Sequence, residues 1–419
     1  MKNTGFRFPN PQCLVLLALS VLPAHAAQDQ PAAVPPLLRP AMEAPPEVRS
    51  EAALLMDAET GTVLYAKNPG REIPPASLAK LMTMHLVLRE AAAGRAGLDE
   101  PLEPRRESWA ISQPPRSSLM FLAPGQTVTL REILLGLAVP SGNDAAVAAA
   151  LRFAPTVRDF AEMMNGEARR LGLVKTRFVE PSGISEYNVT TAAEFAAFCR
   201  EYLRAHPESL AEYHSVTEFA YPTARNVPEA FRERPGTIVQ ENHNTLLKTF
   251  PGVDGLKTGY IDEAGYNIAL TAERGGTRFL AVILGAPARP GGEWVRNEDG
   301  RRLLSWAFDR FKTIRPAAGP IEPARLWKGR LNRAALVTAE SSAFTAPSDR
   351  GGSLRVTTAL RDPLIAPLEA GTAVGELIIS DERGELRRVP LLAAASYERG
   401  NIFKRLWHSI LLFFRKGRR

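Results

Sequence analysis

Three short runs hold side chains whose types and spacing could do chemistry. The first is Ser77-Leu78-Ala79-Lys80. Pro74 and Pro75 stop the preceding chain and a helical pattern opens at Ser77. Ser77 is therefore expected at the positive end of a helix, where an alkoxide is helped. Three residues make about one helical turn, so Lys80 shares a face with Ser77. A neutral lysine there can take the serine proton. At its ordinary pKa of about 10.4 it would be charged, so it needs burial or a second cation. The same four residues also read as a helix cap with a surface lysine. The second run, Ser141-Gly142-Asn143, lies after an apolar helix and Pro140 and before a helix opening at Asp144. It can present a hydroxyl and an amide to a cleft, or serve as plain capping. The third, Lys257-Thr258-Gly259, lies in the glycine-rich run 252–260. Its glycines allow close backbone approach at a strand edge, where a peptide can pair. Lys257 would be the second cation that depresses Lys80. Alone, this run reads as a turn.

The elements that must position these runs follow from patterning. Residues 53–65 read as a hairpin around Asp57-Ala58-Glu59-Thr60-Gly61. Helical patterns cover 77–88, 130–137, 144–153, 157–171 and 192–203, residues 279–284 read as a buried strand, and 301–311 as a closing helix. A hairpin, many helices and late strands indicate an α/β (α+β) layered domain over 49–315. The run Pro316-Ala317-Ala318-Gly319-Pro320 is a break. Beyond it short strands at 354–357, 375–379 and 387–392 indicate a small all-β unit over 321–397 with no chemical motif.

The chain has 419 residues, with 52 Lys+Arg against 45 Asp+Glu, a formal charge of +7. With 45% hydrophobic and 23% charged residues, global disorder is excluded. Arg399, Lys404, Arg405, Arg415, Lys416, Arg418 and Arg419 crowd into residues 399–419 with no acid among them. Residues 1–26 add Lys2 and Arg7, so the body between the two ends carries 43 basic and 45 acidic residues. A nucleic-acid-binding body is thereby disfavoured. Lys2 and Arg7 precede an apolar run, 14–22, and then Pro23-Ala24-His25-Ala26, the pattern of a secretory signal cut after Ala26. The run is shorter than the ~20 residues a spanning helix needs. Cys13 precedes the apolar run, so it is no lipoprotein cysteine; after cleavage Cys199 stands alone and no internal disulfide can form. Six prolines make residues 27–48 an extended spacer. On a helical wheel, Phe403, Leu406, Trp407, Ile410, Leu411, Phe413 and Phe414 fall within an arc of about 160°, with only Leu412 misplaced. Such a helix is expected to lie on an anionic membrane surface, apolar face down, each cation adding ~1 kcal/mol. The alternative is a terminal helix docked on its own protein.

Taken in order, the three runs resemble the signature of penicillin-binding proteins. The chain is similar to the membrane-anchored, low-molecular-mass D-alanyl-D-alanine carboxypeptidases over about residues 53–311. Further stretches share the likeness: residues 57–61, Pro75-Ala76-Ser77-Leu78, residues 141–145, Asn242-His243-Asn244 and 251–259. The resemblance implies a penicillin-binding-protein/β-lactamase-like fold, an antiparallel sheet packed by helices. It implies that Ser77 attacks the peptide bond between the last two D-alanines of a peptidoglycan stem and forms an acyl-enzyme, with Lys80 as base. Backbone N–H groups of Ser77 and Tyr260 would form the oxyanion hole. Ser141 would pass a proton to the leaving D-alanine and Asn143 would orient Lys80 and hold the substrate amide. Lys257, Thr258 and Gly259 would bind around the terminal carboxylate. The family's arginine before its closing helix aligns with Arg296, which also reads as a surface-loop residue. Peptidoglycan stems, β-lactams and an anionic lipid surface are the implied partners, the periplasmic face of a bacterial inner membrane the implied address, and no cofactor is implied.

Ala79, Pro140 and Tyr260 depart from commoner family residues without removing a reacting group. A β-lactamase would carry aspartate where Gly142 stands, and a Glu-x-x-Leu-Asn run that is missing. A D,D-endopeptidase shares all three motifs but usually lacks the β unit and anchor. A non-enzymatic scaffold would be expected to have lost a reacting group. None of His25, His85, His206, His214, His243 and His408 forms a metal-binding motif. Cys199 and His85 read as packing residues.

Overall fold

The computed structural model describes residues 44–316 and 321–416. The expected signal segment, residues 27–43 of the spacer, 317–320 in the expected break and 417–419 lie outside it. Strands β1 (Ala52–Asp57) and β2 (Val63–Lys67) form the expected hairpin. Helix α1 (Lys80–Ala92) follows a 3-10 turn, Ala76–Ala79. Short strands β3 (Pro101–Leu102) and β4 (Val128–Thr129) pair as a ribbon. Helices α2 (Leu130–Ala138), α3 (Asn143–Phe153), α4 (Val157–Arg170) and α5 (Ala192–Ala205) follow. Thr129, Thr156 and Thr191 open three of them, each side chain accepting from the backbone N–H three residues on. A second ribbon, β5 (Glu218–Tyr221) with β6 (Ile238–Glu241), and one turn of helix, α6 (Leu246–Thr249), lead to three long strands. These are β7 (Val253–Ile261), β8 (Gly265–Arg274) and β9 (Thr277–Ala286). Helix α7 (Gly292–Arg310) closes the domain.

The main sheet is antiparallel in the order β2-β1-β9-β8-β7. Its centre, β9, carries the apolar run Phe279 to Leu284. Leu280, Val282 and Leu284 join one core with Leu81, Leu134 and Phe195 from the helices. Phe279, Ala281 and Ile283 join a second core with Leu303, Leu304 and Ala307 of α7. Helices on both faces remove the need for polar alternation, which is why the run is apolar throughout. β7 is an edge strand, and the turn that carries Ser77 packs against its face at Gly259.

The closing helix begins at Gly292, well before the expected residue 301. Its first turns are polar and so read as a loop, yet Arg296 and Asp299 within them are buried. Asp299 accepts from the backbone N–H groups of Arg49 and Ser50 and from the Ser50 hydroxyl, pinning the chain's entry to β1.

The second unit comprises β10 (Phe311–Ile314), β11 (Ala324–Trp327), β12 (Arg333–Ala334), β13 (Leu336–Thr338), β14 (Phe344–Pro347), β15 (Arg355–Leu360), β16 (Leu364–Ile365), β17 (Ala373–Asp381) and β18 (Gly384–Ala393). Four of them form a sheet in the order β13-β18-β17-β15, and β10 pairs with β14 across the Pro-rich break. Thr313 and Thr345 both donate hydroxyl hydrogen bonds to Asp57 in the first hairpin, at 2.7 and 2.8 Å. A buried carboxylate thus joins the two units.

Helix α8 (Ile402–Lys416) docks on the β unit. Lys404 donates to the Arg330 carbonyl, the Lys328 N–H donates to His408 Nδ1, and Arg415 pairs with Asp362. Lys404 and Arg415, expected on lipid headgroups, therefore turn toward their own protein. Leu412, the misfit of the wheel, is half-buried beside Pro363 and Ile365. Phe403, Leu406, Trp407, Ile410, Phe413 and Phe414 remain exposed. Among the described residues, no helix is long and apolar enough to cross a membrane.

Candidate active site

Ser77 does not cap an α-helix, as its position after two prolines suggests. It sits inside the 3-10 turn, and α1 begins only at Lys80. A 3-10 turn has three residues per turn, so positions i and i+3 eclipse and Lys80 lies directly over Ser77. Ala76, one residue earlier, has φ +50°, a left-handed conformation that costs a non-glycine residue about 1–3 kcal/mol. This turn is held in a strained shape by what surrounds it. Asn267 Nδ2 donates to the Pro74 carbonyl at 2.8 Å. A Cβ on Gly259 of β7 would lie 2.9 Å from the Ser77 nitrogen, so only glycine lets β7 come this close.

Lys80 is fully buried. Its Nζ lies 2.9 Å from Ser77 Oγ, 2.7 Å from Asn143 Oδ1 and 2.6 Å from the Ser182 carbonyl. Burial lowers its pKa to about 7, against the opposing pull of Glu180 and Asp144. Of the two expected causes, burial and a second cation at Lys257, burial is the one that lowers it. The neutral amine has two N–H donors and one lone pair. With the donors directed to Asn143 and Ser182, the lone pair faces the Ser77 hydroxyl.

The corner between α2 and α3 carries the second run. Ser141 has φ +59° and is 2% exposed, and its Oγ has no hydrogen-bond partner among the described residues. A buried hydroxyl left unpaired costs about 1–3 kcal/mol, which a ligand atom would recover. Asn143 is the first residue of α3. Asp144 beside it accepts from the N–H groups of Met120 and Leu122, fastening residues 120–122 over the corner.

Lys257 and Thr258 are buried on β7. Lys257 Nζ donates to the Thr258 carbonyl at 3.1 Å. Burial, then the charges of Lys80 and Arg296, hold the Lys257 amine well below the usual lysine range. Arg296 is 3% exposed inside α7, not a surface-loop residue. It pairs with Glu293 and bonds Asn297. The Tyr260 hydroxyl donates to Asp262 and its ring packs on Tyr266 at 4.3 Å. Thr258 and Tyr260 make no hydrogen bond to Ser77, Lys80 or Asn143 among the described residues.

Sequence reasoning missed the loop that completes the site. Glu180 accepts from the N–H groups of Ser182 and Gly183 and from Asn188, which aims the Ser182 carbonyl at Lys80. A Cβ on Gly183, at φ +85°, would sit 1.8 Å from the Ala76 oxygen. The string Glu180-Pro181-Ser182-Gly183 carried the signal: a proline stop followed by a glycine that must meet backbone. His85, expected to pack, bonds Glu167 at 2.9 Å and His206 at 3.0 Å in a buried polar cluster. Cys199 is buried alone, and burial pushes its thiol up, as a core thiol requires. No group of three His, Cys, Asp or Glu suited to a metal occurs among the described residues.

Comparison with known proteins agrees over both units. Residues 39–288 match the family described as D-alanyl-D-alanine carboxypeptidase, and residues 311–399 match the C-terminal domain of penicillin-binding protein 5. The D-alanyl-D-alanine carboxypeptidase DacC of Escherichia coli is 31% identical over 376 residues, covering 88% of this chain and 89% of that protein. The crystal structure of penicillin-binding protein 5 from Haemophilus influenzae superposes with a TM-score of 0.74 at 27% identity, covering 85% of this chain and 100% of that one. Penicillin-binding protein D2 of Listeria monocytogenes, solved in its ampicillin-bound form, has a TM-score of 0.53 at 30% identity over 62% of this chain and 98% of its own. Likeness of this extent, over catalytic and β units alike, makes the chain a member of the D-alanyl-D-alanine carboxypeptidase family.

Proposed function

We propose that this protein is a serine D-alanyl-D-alanine carboxypeptidase that trims the terminal D-alanine from peptidoglycan pentapeptide stems through an acyl-enzyme. The observation that carries the reading is the buried Lys80 amine facing Ser77 Oγ at 2.9 Å, with its other bonds already made. Lys80 takes the Ser77 proton, and Ser77 Oγ attacks the carbonyl of the penultimate D-alanine. Backbone N–H groups of Ser77 and Tyr260 hold the oxyanion. The otherwise unpaired Ser141 hydroxyl carries a proton to the departing D-alanine nitrogen. Lys257, Thr258 and Arg296 receive the substrate's terminal carboxylate, and Gly259 keeps β7 close enough to pair with the peptide. Water then frees the shortened stem. A β-lactam acylates the same serine, in keeping with the ampicillin-bound relative.

The purified protein should release D-alanine from a pentapeptide and take up a labelled penicillin covalently. Ser77→Ala should do neither; labelling of that variant would overturn the nucleophile. Hydrolysis of penicillin within seconds, with no acyl-enzyme accumulating, would favour a β-lactamase. Preference for a cross-linked muropeptide over the pentapeptide would favour an endopeptidase.

The export signal, the spacer and the division at the Pro-rich break belong to the same reading: the enzyme works on the outer side of a bacterial cytoplasmic membrane, lifted on its β unit. The outward apolar side of α8 would rest on anionic lipid. Trp407 fluorescence should shift to the blue when vesicles containing phosphatidylglycerol are added. A chain lacking residues 399–419 that still sediments with those vesicles would sink the anchor.

A further inference from the structure

One ionisable side chain at the cleft has no part in the chemistry above. His243 sits on the turn between β6 and α6, open to solvent yet with protein crowding part of its ring. Its neighbours are tied down. Asn242 Nδ2 donates to the Val216 carbonyl at 2.9 Å, and Asn244 Nδ2 to the Gly255 carbonyl of β7 at 3.3 Å. The Asn244 N–H closes the turn on Asn242 Oδ1 at 2.9 Å. His243 is thus presented at a fixed place beside the Lys257 strand, and among the described residues its ring nitrogens have no hydrogen-bond partner. The charged groups that act on it come from three other elements: Lys257 of β7, Lys80 of α1 and Arg296 of α7. On its own segment Glu241 and Lys248 pair with each other at 3.3 Å.

An imidazole among three basic groups, with no acid acting on it, is poised for an anion that is yet to come. We propose that His243 is a specificity-determining residue for the substrate's terminal carboxylate: neutral in the free enzyme, it takes a proton from solvent when that carboxylate enters, and becomes a further cation of the site. The proposal rests on the carboxypeptidase reading. Crowding by protein and then the charges of Lys257, Lys80 and Arg296 hold the free His243 down to about 4, so it is uncharged at neutral pH. A carboxylate at Lys257 and Arg296 cancels part of that field and raises the proton affinity of every base nearby. Left alone, the same anion would also raise Lys80 and spoil it as a base. A proton on His243 offsets the anion at Lys80 and holds the amine neutral for the attack.

The sign of the pH dependence follows. The substrate carboxyl, with an ordinary pKa near 3.5, stays ionised above pH 5. The complex binds more protons than the free enzyme, so affinity tightens as pH falls from 7 toward 5, by at most about tenfold per pH unit per proton. The test uses the full chain carrying Ser77→Ala, which holds substrate without turnover. Diacetyl-L-lysyl-D-alanyl-D-alanine is titrated at pH 6 in two buffers of unlike ionisation heat, and proton uptake is read by calorimetry. Lys257 supplies a background uptake, while Lys80, at about 7, is already mostly charged at pH 6, so the comparison is with His243→Gln and His243→Arg in the same chain. Uptake should fall in both variants by up to one proton. His243→Gln should lose the extra tightening at pH 5. His243→Arg, a permanent cation, should bind more tightly at pH 7 than the histidine chain does at pH 7. Equal uptake and equal pH slope in histidine and glutamine chains overturn the proposal while leaving D-alanine release by the native enzyme standing. No release by the native enzyme, together with no heat of binding, overturns both.

Discussion

The catalytic unit and the β unit solve burial in opposite ways. The catalytic unit buries Lys80, Lys257, Arg296, Asp144, Glu167, His85, His206 and His214. In the β unit beyond the break, the only buried polar residue among those described is Thr345, which faces Asp57 of the catalytic unit. Its core is a plain cluster around Leu326, Val374, Ile379, Val389 and Leu391, and most of its ions pair at the surface. Burying an ionisable group costs several kcal/mol unless it is paired or neutralised. The catalytic unit can bear that cost because it has two apolar cores, one on each face of its sheet. What it gains is a lysine held near neutrality. Among the described residues, the β unit buries no lysine at all.

The largest expected effect breaks the comparison at Lys80. Lys80→Gln keeps hydrogen-bonding capacity but removes the base, and should lower D-alanine release by about 10³-fold, within the range general bases contribute. For the native enzyme, kcat/KM should rise with pH up to about 7 and then level, because only the neutral amine can accept a proton. A profile flat from pH 5 to 9 would remove Lys80 from that role.

That lysine also marks how far the sequence could be read. Ser77, Lys80, Ser141 and Asn143 also read as plain helix caps and a surface lysine, and only the three runs taken in order picked them out. Lys257 was legible only through the company of the other two runs. The cause of the Lys80 shift was left open between burial and a second cation; it is burial, made by chain that is remote in sequence. The Ser182 carbonyl was invisible because a backbone acceptor has no residue type. Gly183 was a visible glycine whose partner, Ala76, lies far upstream. The hairpin, the helices and the central strand followed from periodicity. The early start of α7 did not, since Arg296 and Asp299 are polar residues buried by distant partners.

A smaller effect concerns a buried ion that does no chemistry. Glu167 is held by Arg170, by Arg89 and by His85, and ties α4 to α1. Burial pushes its carboxyl up, but the bonds from Arg170 and His85 outweigh it and bring the pKa to about 2. A carboxylate depressed below its unfolded value stabilises above that value and loses the contribution as pH falls through the folded one. Glu167→Gln should therefore cost about 2 kcal/mol at pH 7, as lost charged hydrogen bonds do. Thermal midpoints should show the gap between native and variant closing as pH falls from about 5 to 2. A gap that persists at pH 2 would mean packing, not charge, holds this cluster.

The smallest effect is expected in the β unit, and it makes the comparison quantitative. Arg388 bonds Glu385 and Glu376 across β17 and β18, at 2.7 and 2.8 Å. On distances alone this triad looks as strong as the Glu167 cluster. Its side chains are exposed, so water competes for each ion and salt screens the attraction. Arg388→Ala should leave the thermal midpoint and D-alanine release unchanged within error, at low salt and at high. A loss comparable to that of Glu167→Gln would show that the β unit draws stability from its ions after all, and the contrast between the two units would fall with it.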